Sequence, residues 1–172
     1  GFNEFYYLNG RNAHPFDPDA PELSKFPIME SVTKTIFPWV KKYLTLYCLA
    51  DRVTDKSIEW LKSNHDQRFF MYVHFMDAHH PYYYHPFDGR YVDPLKDGAG
   101  EDKLELFSSY YKGDVVYTDR QLSRLLDYMK STGLYDSTVI IVTADHGEEF
   151  FDHYGWTHAF SMYDELLHIP LI

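Results

Sequence analysis

The sequence predicts an α/β fold with a mainly parallel sheet between helices. Three observations carry that expectation. Phe69-Phe70-Met71-Tyr72-Val73-His74-Phe75 and Val139-Ile140-Ile141-Val142-Thr143 are short apolar runs, aromatic or β-branched and bounded by polar residues. That is the composition of strands covered on both faces. Between them, Leu104, Phe107, Tyr111, Val115, Leu122, Leu125, Leu126 and Met129 recur at helical spacing, as in an amphipathic helix. Strand, helix, strand in that order implies a right-handed crossover and therefore parallel strands.

The remaining elements follow in chain order. Residues 1 to about 50 read as irregular, because proline and aspartate punctuate them, as in His14-Pro15-Phe16-Asp17-Pro18-Asp19, and break both regular periods. Thr54 is the expected N-cap of a short helix through Ile58, Trp60 and Leu61 to Ser63. Residues 76 to 102 form a long loop rich in Tyr, His, Pro and Gly, a length that in compact domains accompanies function or mobility. The amphipathic helix loosens near Gly113 and ends before Gly133. Phe160 to Leu167 reads as a short helix, and Ile169-Pro170-Leu171-Ile172 opens a further apolar strand. A chain that stops there is expected to be part of a larger catalytic domain, to expose apolar surface and to self-associate.

Composition narrows the function. A chain of 172 residues that is 45% hydrophobic and 19% aromatic can bury a real core. No run approaches the roughly 20 apolar residues of a membrane span. The net charge of −10 argues against a nucleic-acid partner. The single cysteine, Cys48, excludes an internal disulfide framework and fits a reducing, cytoplasmic setting. The ten histidines are uneven: four lie from His74 to His85 and three from His146 to His158.

Three constellations put histidine beside carboxylate. Thr143-Ala144-Asp145-His146-Gly147-Glu148 follows the second apolar run, at the carboxyl end where open sheets bind ligands. Adjacent carboxylate and imidazole on a turn that Gly147 bends sharply can both reach one cation. The same hexapeptide also reads as a strand-ending turn with Asp145 bonded to its own backbone. Asp77-Ala78-His79-His80-Pro81-Tyr82 follows the first run in the same placement. His79 is expected to face inward, where imidazole can protonate a leaving group or hold an anionic oxygen, and His80 to face solvent. His74, inside the run, is expected to be a satisfied core or supporting residue. Glu148 to Phe160 brings back His153 and His158, either of which could contact substrate or metal, although taken alone they read rather as surface loop histidines. Together the three point to one pocket for a metal and an anionic ester.

These residues resemble the sulfatase family of the alkaline phosphatase superfamily. The likeness rests on Val139 to Glu148, on Asp152-His153 and His158, on Tyr163 to Ile172, and on Phe69 to Tyr82, which is similar to that family's strand leading into an Asp-Pro-His-x-Pro-Tyr turn. It implies an alkaline-phosphatase/sulfatase-like fold, incomplete here, and a metal-dependent hydrolase of small anionic sulfate esters. Asp145 and His146 match metal ligands. His146 stands where many calcium sulfatases have Asn and where phosphonate- or phosphate-cleaving relatives have His, so Mn2+ or Zn2+ joins Ca2+ as a candidate cofactor. His79 matches the histidine that touches the transferred group and assists the leaving group. His158 lies near a substrate-binding position and is expected to join His79 in catalysis and in substrate binding, and His153, in a loop near the site, is expected to contact the substrate.

The family's nucleophile stands in a Cys/Ser-x-Pro-x-Arg motif, which this sequence lacks. Cys48-Leu49-Ala50-Asp51-Arg52 has the Cys-to-Arg spacing without the proline and reads as coincidence, with Cys48 a packed thiol. The expectation is therefore a nucleophile, formylglycine in a sulfatase, outside these residues, and a fragment inactive by itself. A phosphodiester or phosphonate-ester hydrolase, or a phosphoglycerol transferase, is the alternative within the superfamily. A non-catalytic binding protein that keeps the fold is the alternative of another class.

Overall fold

The computed structural model describes residues 48–98 and 100–172. The irregular reading of residues 1–47, with the packing expected of Phe37-Pro38-Trp39 and Tyr43 to Tyr47, lies outside the described residues. Helix α1 spans Ala50–Asn64 and helix α2 spans Leu104–Ser131. Ala50, Thr54, Ser57 and Leu61 make the buried stripe of α1. Phe107, Asp114, Gln121, Leu125 and Met129 make that of α2. Both follow the helical period. The stripes meet where Leu61, Leu125 and Met129 form a core cluster, with Ile58, Phe69, Met71, Leu134 and Ile140 packed against it.

Two details of these helices differ from the sequence reading. Thr54 lies inside α1 rather than at its start, and its hydroxyl donates to the Gln121 carbonyl at 3.3 Å. The helix begins four residues earlier because Asp77 Oδ1 accepts the Ala50 N–H at 3.0 Å, a carboxylate placed at the helix N-terminus from 27 residues away. Helix α2 runs unbroken through Gly113 and ends as expected, with Gly133 at φ 75° just beyond it.

The hydrogen-bonded strands are short and antiparallel. β1 (Tyr82–Tyr83) pairs with β2 (Tyr91–Val92), Tyr82 opposite Val92. β3 (Glu149–Phe150) pairs with β4 (Trp156–Thr157), Glu149 opposite Thr157. A single-turn helix, α3, spans Asp164–Leu167, inside the stretch expected to be helical. A second core cluster, Tyr82, Val92, Phe107 and Trp156, packs these hairpins on the N-terminal half of α2.

The mainly parallel sheet is not formed among the described residues. Phe69–Phe75 and Val139–Thr143 enter no ladder with each other. The backbone pairing found there is antiparallel: Val142 and Ile172 exchange N–H···O bonds of 2.9 and 3.0 Å beside the Thr143–Leu171 bridge. Nor are the runs covered on both faces. Phe69, Met71 and Ile140 face the helices, while Phe70 is 72% and Val139 88% exposed. His74 shares the open face, so it is not a satisfied core residue. Apolar composition reports a preference for burial, not the partner that supplies it. No helix among the described residues is long and apolar enough to cross a membrane.

Leu61 is fully buried where α1 meets α2. Leu61→Ala should lower stability by about 2–5 kcal/mol through the cavity it leaves, read as a lower urea midpoint. Val139→Ala should change it by no more than about 0.5 kcal/mol.

Candidate active site

The Asp77–Tyr83 segment is held at both ends. Asp77 is fully buried against the start of α1. Burial pushes its carboxyl up to about 7, against the opposing help of the Ala50 N–H. At the far end, Asp114 of α2 accepts the Tyr83 N–H at 3.1 Å and bonds His85 Nε2 at 2.6 Å. His85 also stacks on Tyr117, with ring centroids 4.0 Å apart. Burial moves both partners toward neutral forms: Asp114 is pushed up to about 9 and His85 is lowered. His79 and His80 lie between these two anchors.

The Asp145–Ser161 segment turns back on itself twice. The Gly147 N–H donates to the Leu166 carbonyl at 2.8 Å. A Cβ at Gly147 would fall 2.0 Å from the Glu165 carbonyl oxygen, so this close approach requires glycine. The β3–β4 hairpin then closes around the buried Glu149 carboxylate, whose Oε1 accepts the N–H groups of His153 (3.1 Å) and Gly155 (2.8 Å). Phe151, Tyr154, Thr157 and Ala159 adopt positive φ of 65–77°, a left-handed conformation costly for residues with a Cβ. Thr157 and Ala159 flank His158, so backbone strain is concentrated where that imidazole is placed.

Both segments converge through Glu148. Its Oε2 accepts the Tyr82 hydroxyl at 2.8 Å, and its Oε1 bonds His158 Nδ1 at 2.9 Å. Burial, and then the neighbouring Glu148 charge, raise the Tyr82 phenol well above its ordinary range, so it stays a donor. Around this bridge four imidazoles meet. The His158 centroid lies 4.0 Å from that of His146, 4.9 Å from His79 and 5.6 Å from His80. His79 and His80 stack at 4.5 Å. Asp145 projects beside them, 79% exposed in its side chain, with Oδ1 3.8 Å from His146 Nε2.

The structure thus brings His79, His146 and His158 together, with Asp145 at the edge. His153 is placed differently: its Nδ1 bonds Glu165 Oε1 at 2.7 Å and its ring stacks on Tyr163 at 3.6 Å. The solvent-facing position expected of His80 is incorrect. His80 is half-buried against His79 and His158, and burial lowers its pKa. Adjacent residues diverge only along an extended strand, and here the chain turns. Glu148, Tyr82 and the Asp114–His85 pair were not singled out as site residues. A carboxylate next to Asp-His-Gly was the one available signal, since the other contacts span 29 to 66 residues of sequence. Cys48 is packed as expected: it is buried and its thiol is pushed up to about 12, which suppresses the thiolate a nucleophile needs.

Loops at the ends of the two apolar runs thus gather imidazoles and carboxylates in one place. Comparison with known proteins gives the family. The family model described as Sulfatase matches residues 1–172; the chain belongs to the sulfatase family. N-acetylglucosamine-6-O-sulfatase of Bacteroides thetaiotaomicron is 34% identical over 70 residues, 41% of this chain and 12% of that protein. The multifunctional alkaline phosphatase superfamily protein PehA of Trinickia caryophylli is 32% identical over 82 residues, 41% of this chain and 16% of that protein. Human iduronate 2-sulfatase is 39% identical over 62 residues, 36% of this chain and 11% of that protein. The matches thus span under a fifth of the length of each of these relatives. No solved structure gives a significant match.

Asp114 gives the site a pH signature. A carboxyl raised by burial favours the folded state fully below its ordinary pKa near 4, and that stability is lost as pH rises toward about 9. Asp114→Asn keeps an oxygen for the Tyr83 N–H and removes the ionisation. Its melting temperature should therefore fall less between pH 4 and pH 9 than that of the wild type, as differential scanning calorimetry would show.

Proposed function

We propose that this chain supplies the metal-binding and leaving-group side of an active site that hydrolyses a sulfate ester. The convergence of His79 with His146 and His158 from two distant segments, ring against ring, carries this reading. Asp145 and His146 offer one carboxylate oxygen and one imidazole nitrogen 3.8 Å apart, a mixed donor set that fits part of the coordination of Ca2+, Mn2+ or Zn2+. Such an ion supplies charge neutralisation at the ester's transferred group.

The chain's own residues take the remaining roles. With Nδ1 engaged by Glu148, His158 presents Nε2 to an anionic oxygen, and the Tyr82–Glu148 contact fixes the ring. His79, whose Nδ1 is turned to the His80 carbonyl, presents its other nitrogen to the departing alcohol, where a proton is needed as the ester bond breaks. His153, bonded to Glu165, shapes the loop near the substrate. The nucleophile comes from outside these residues, since no Cys/Ser-x-Pro-x-Arg motif is present and Cys48 is buried; formylglycine is the sulfatase form. The 172 residues alone are then inactive.

A second reading keeps the site and changes the substrate to a phosphodiester or phosphonate ester. The match to PehA, a multifunctional member of the superfamily, and the histidine at position 146 favour it. Assay of the full-length gene product on an aryl sulfate and on a phosphodiester, with Ca2+, Mn2+ or Zn2+ supplied, separates the two. Faster turnover of the sulfate is expected, and inactivity on both would refute both. Asp145→Ala should lower kcat/KM by about 100-fold or more with an unchanged melting temperature. Near-normal turnover would remove Asp145 from the metal site.

A further inference from the structure

We infer that His85 is a positioning residue for His79: its Nε2 accepts a hydrogen from the buried Asp114 carboxyl, and the pair pins the segment carrying His79 to α2. The inference rests on the ester-hydrolase reading for the role of His79 and extends it to the groups that hold that imidazole in place. Asp114 is fully buried, and the His85 side chain is only 8% exposed. Asp114 Oδ1 lies 2.6 Å from His85 Nε2, while Oδ2 accepts the Tyr83 N–H at 3.1 Å. The His85 ring is also fixed by its stack on Tyr117. One carboxyl therefore ties two points of the chain just beyond His79 to the same helix.

Two arrangements of hydrogen fit the short contact: a carboxyl donating to a bare Nε2, or an imidazole donating to a carboxylate. The surroundings select the first. Asp51 from α1, Asp77 and Tyr82 from the preceding segment, and Tyr111 and Tyr117 from α2 are the titratable groups that act on the pair or stack against it. All are acids, so none stabilises a carboxylate there, and burial keeps the Asp114 proton up to about 9. Nδ1 of His85 is buried without a hydrogen-bond partner. The field of Asp77 and Asp51 acts on this ring and favours a hydrogen on that nitrogen over a bare lone pair. A neutral imidazole with its hydrogen on Nδ1 has its acceptor at Nε2, facing Asp114.

His79 sits between two anchors, Asp77 on the Ala50 N–H and Tyr83 on Asp114 Oδ2. Without an acceptor at position 85 the Asp114 hydroxyl is left unpaired in a buried place, which costs more than a lost contact. The carboxyl then turns from the Tyr83 N–H to satisfy itself, and the anchor after His79 loosens. Loss of the proton at high pH acts in the same direction, because it leaves a buried carboxylate whose charge opposes that of Asp77. Substitutions separate these effects. Glutamine at position 85 offers an acceptor oxygen, whereas phenylalanine keeps a ring to stack on Tyr117 and offers none.

Long-range nitrogen–proton NMR correlations of the imidazoles in the full chain at pH 7 test the hydrogen directly. A hydrogen on Nδ1 and a bare Nε2 are expected for His85, and a hydrogen on Nε2 overturns the inference. That measurement needs neither variant nor substrate, so it holds or fails independently of hydrolysis. Above about pH 8 ordinary imidazoles have finished titrating, and so has Asp77 at about 7. The His79 ring signals of the wild type should nevertheless shift as pH rises toward about 9, and those of Asp114→Asn should stay constant. Equal shifts in both proteins would overturn the coupling. With the full-length gene product on an aryl sulfate, His85→Phe should lower kcat/KM by about 10- to 100-fold, mainly in kcat, and His85→Gln should recover most of the loss. Wild-type kinetics in His85→Phe would remove the positioning role, whereas an inactive wild type counts against the hydrolase reading and leaves the NMR result to decide the hydrogen.

Discussion

The buried stripe of α2 is the constraint on which the other elements depend. Its N-terminal half carries Phe107 into the cluster of Tyr82, Val92 and Trp156, and its C-terminal half carries Leu125 and Met129 onto Leu61 of α1. Between these apolar ends the stripe contains Asp114, fully buried and bonded to the Tyr83 N–H and to His85. An apolar residue there would pack but would leave the Tyr83 N–H and the His85 ring without a partner, which costs more than a lost contact. The carboxyl therefore sets where the β1–β2 hairpin sits on the helix. By the same contact it sets where the histidines just before β1 sit.

Glu148 performs the corresponding task at the other loop. One carboxylate joins a phenol from the Asp77–Tyr83 segment to an imidazole ten residues further along its own loop. Because both oxygens are engaged, Tyr82 and His158 are positioned relative to each other rather than separately. The tight approach at Gly147 and the left-handed residues around His158 are the backbone conformations this geometry requires. Strain of this kind persists where surrounding packing over-determines it, and the buried Thr157 and Glu149 supply that packing.

The legible features were those written in local periodicity or local chemistry. The 3.6-residue stripe announced α2, and Gly133 marked its end. Asp145-His146-Gly147 lay where a turn after an apolar run was expected, and the same residues carried the family resemblance. The failures share a different cause. Thr54 has the chemistry of an N-cap, yet the orphan N–H at the start of α1 is met by Asp77 from another segment. His80 read as solvent-facing because an extended strand separates neighbours, whereas the turn places both rings against His158.

The sequence by itself determined that the two helices form, the positions of the loops and the residue types that could serve an anionic ester, because each depends on neighbours within a few positions. Only the tertiary structure decided which imidazoles meet, which carboxylates are buried, and which face of each apolar run packs on the helices. Those outcomes depend on contacts across tens of residues, and a contact at that separation leaves no period in the chain. Asp114 shows the difference most clearly: in sequence it is one polar residue in a helix, and in the fold it is the anchor of the hairpin.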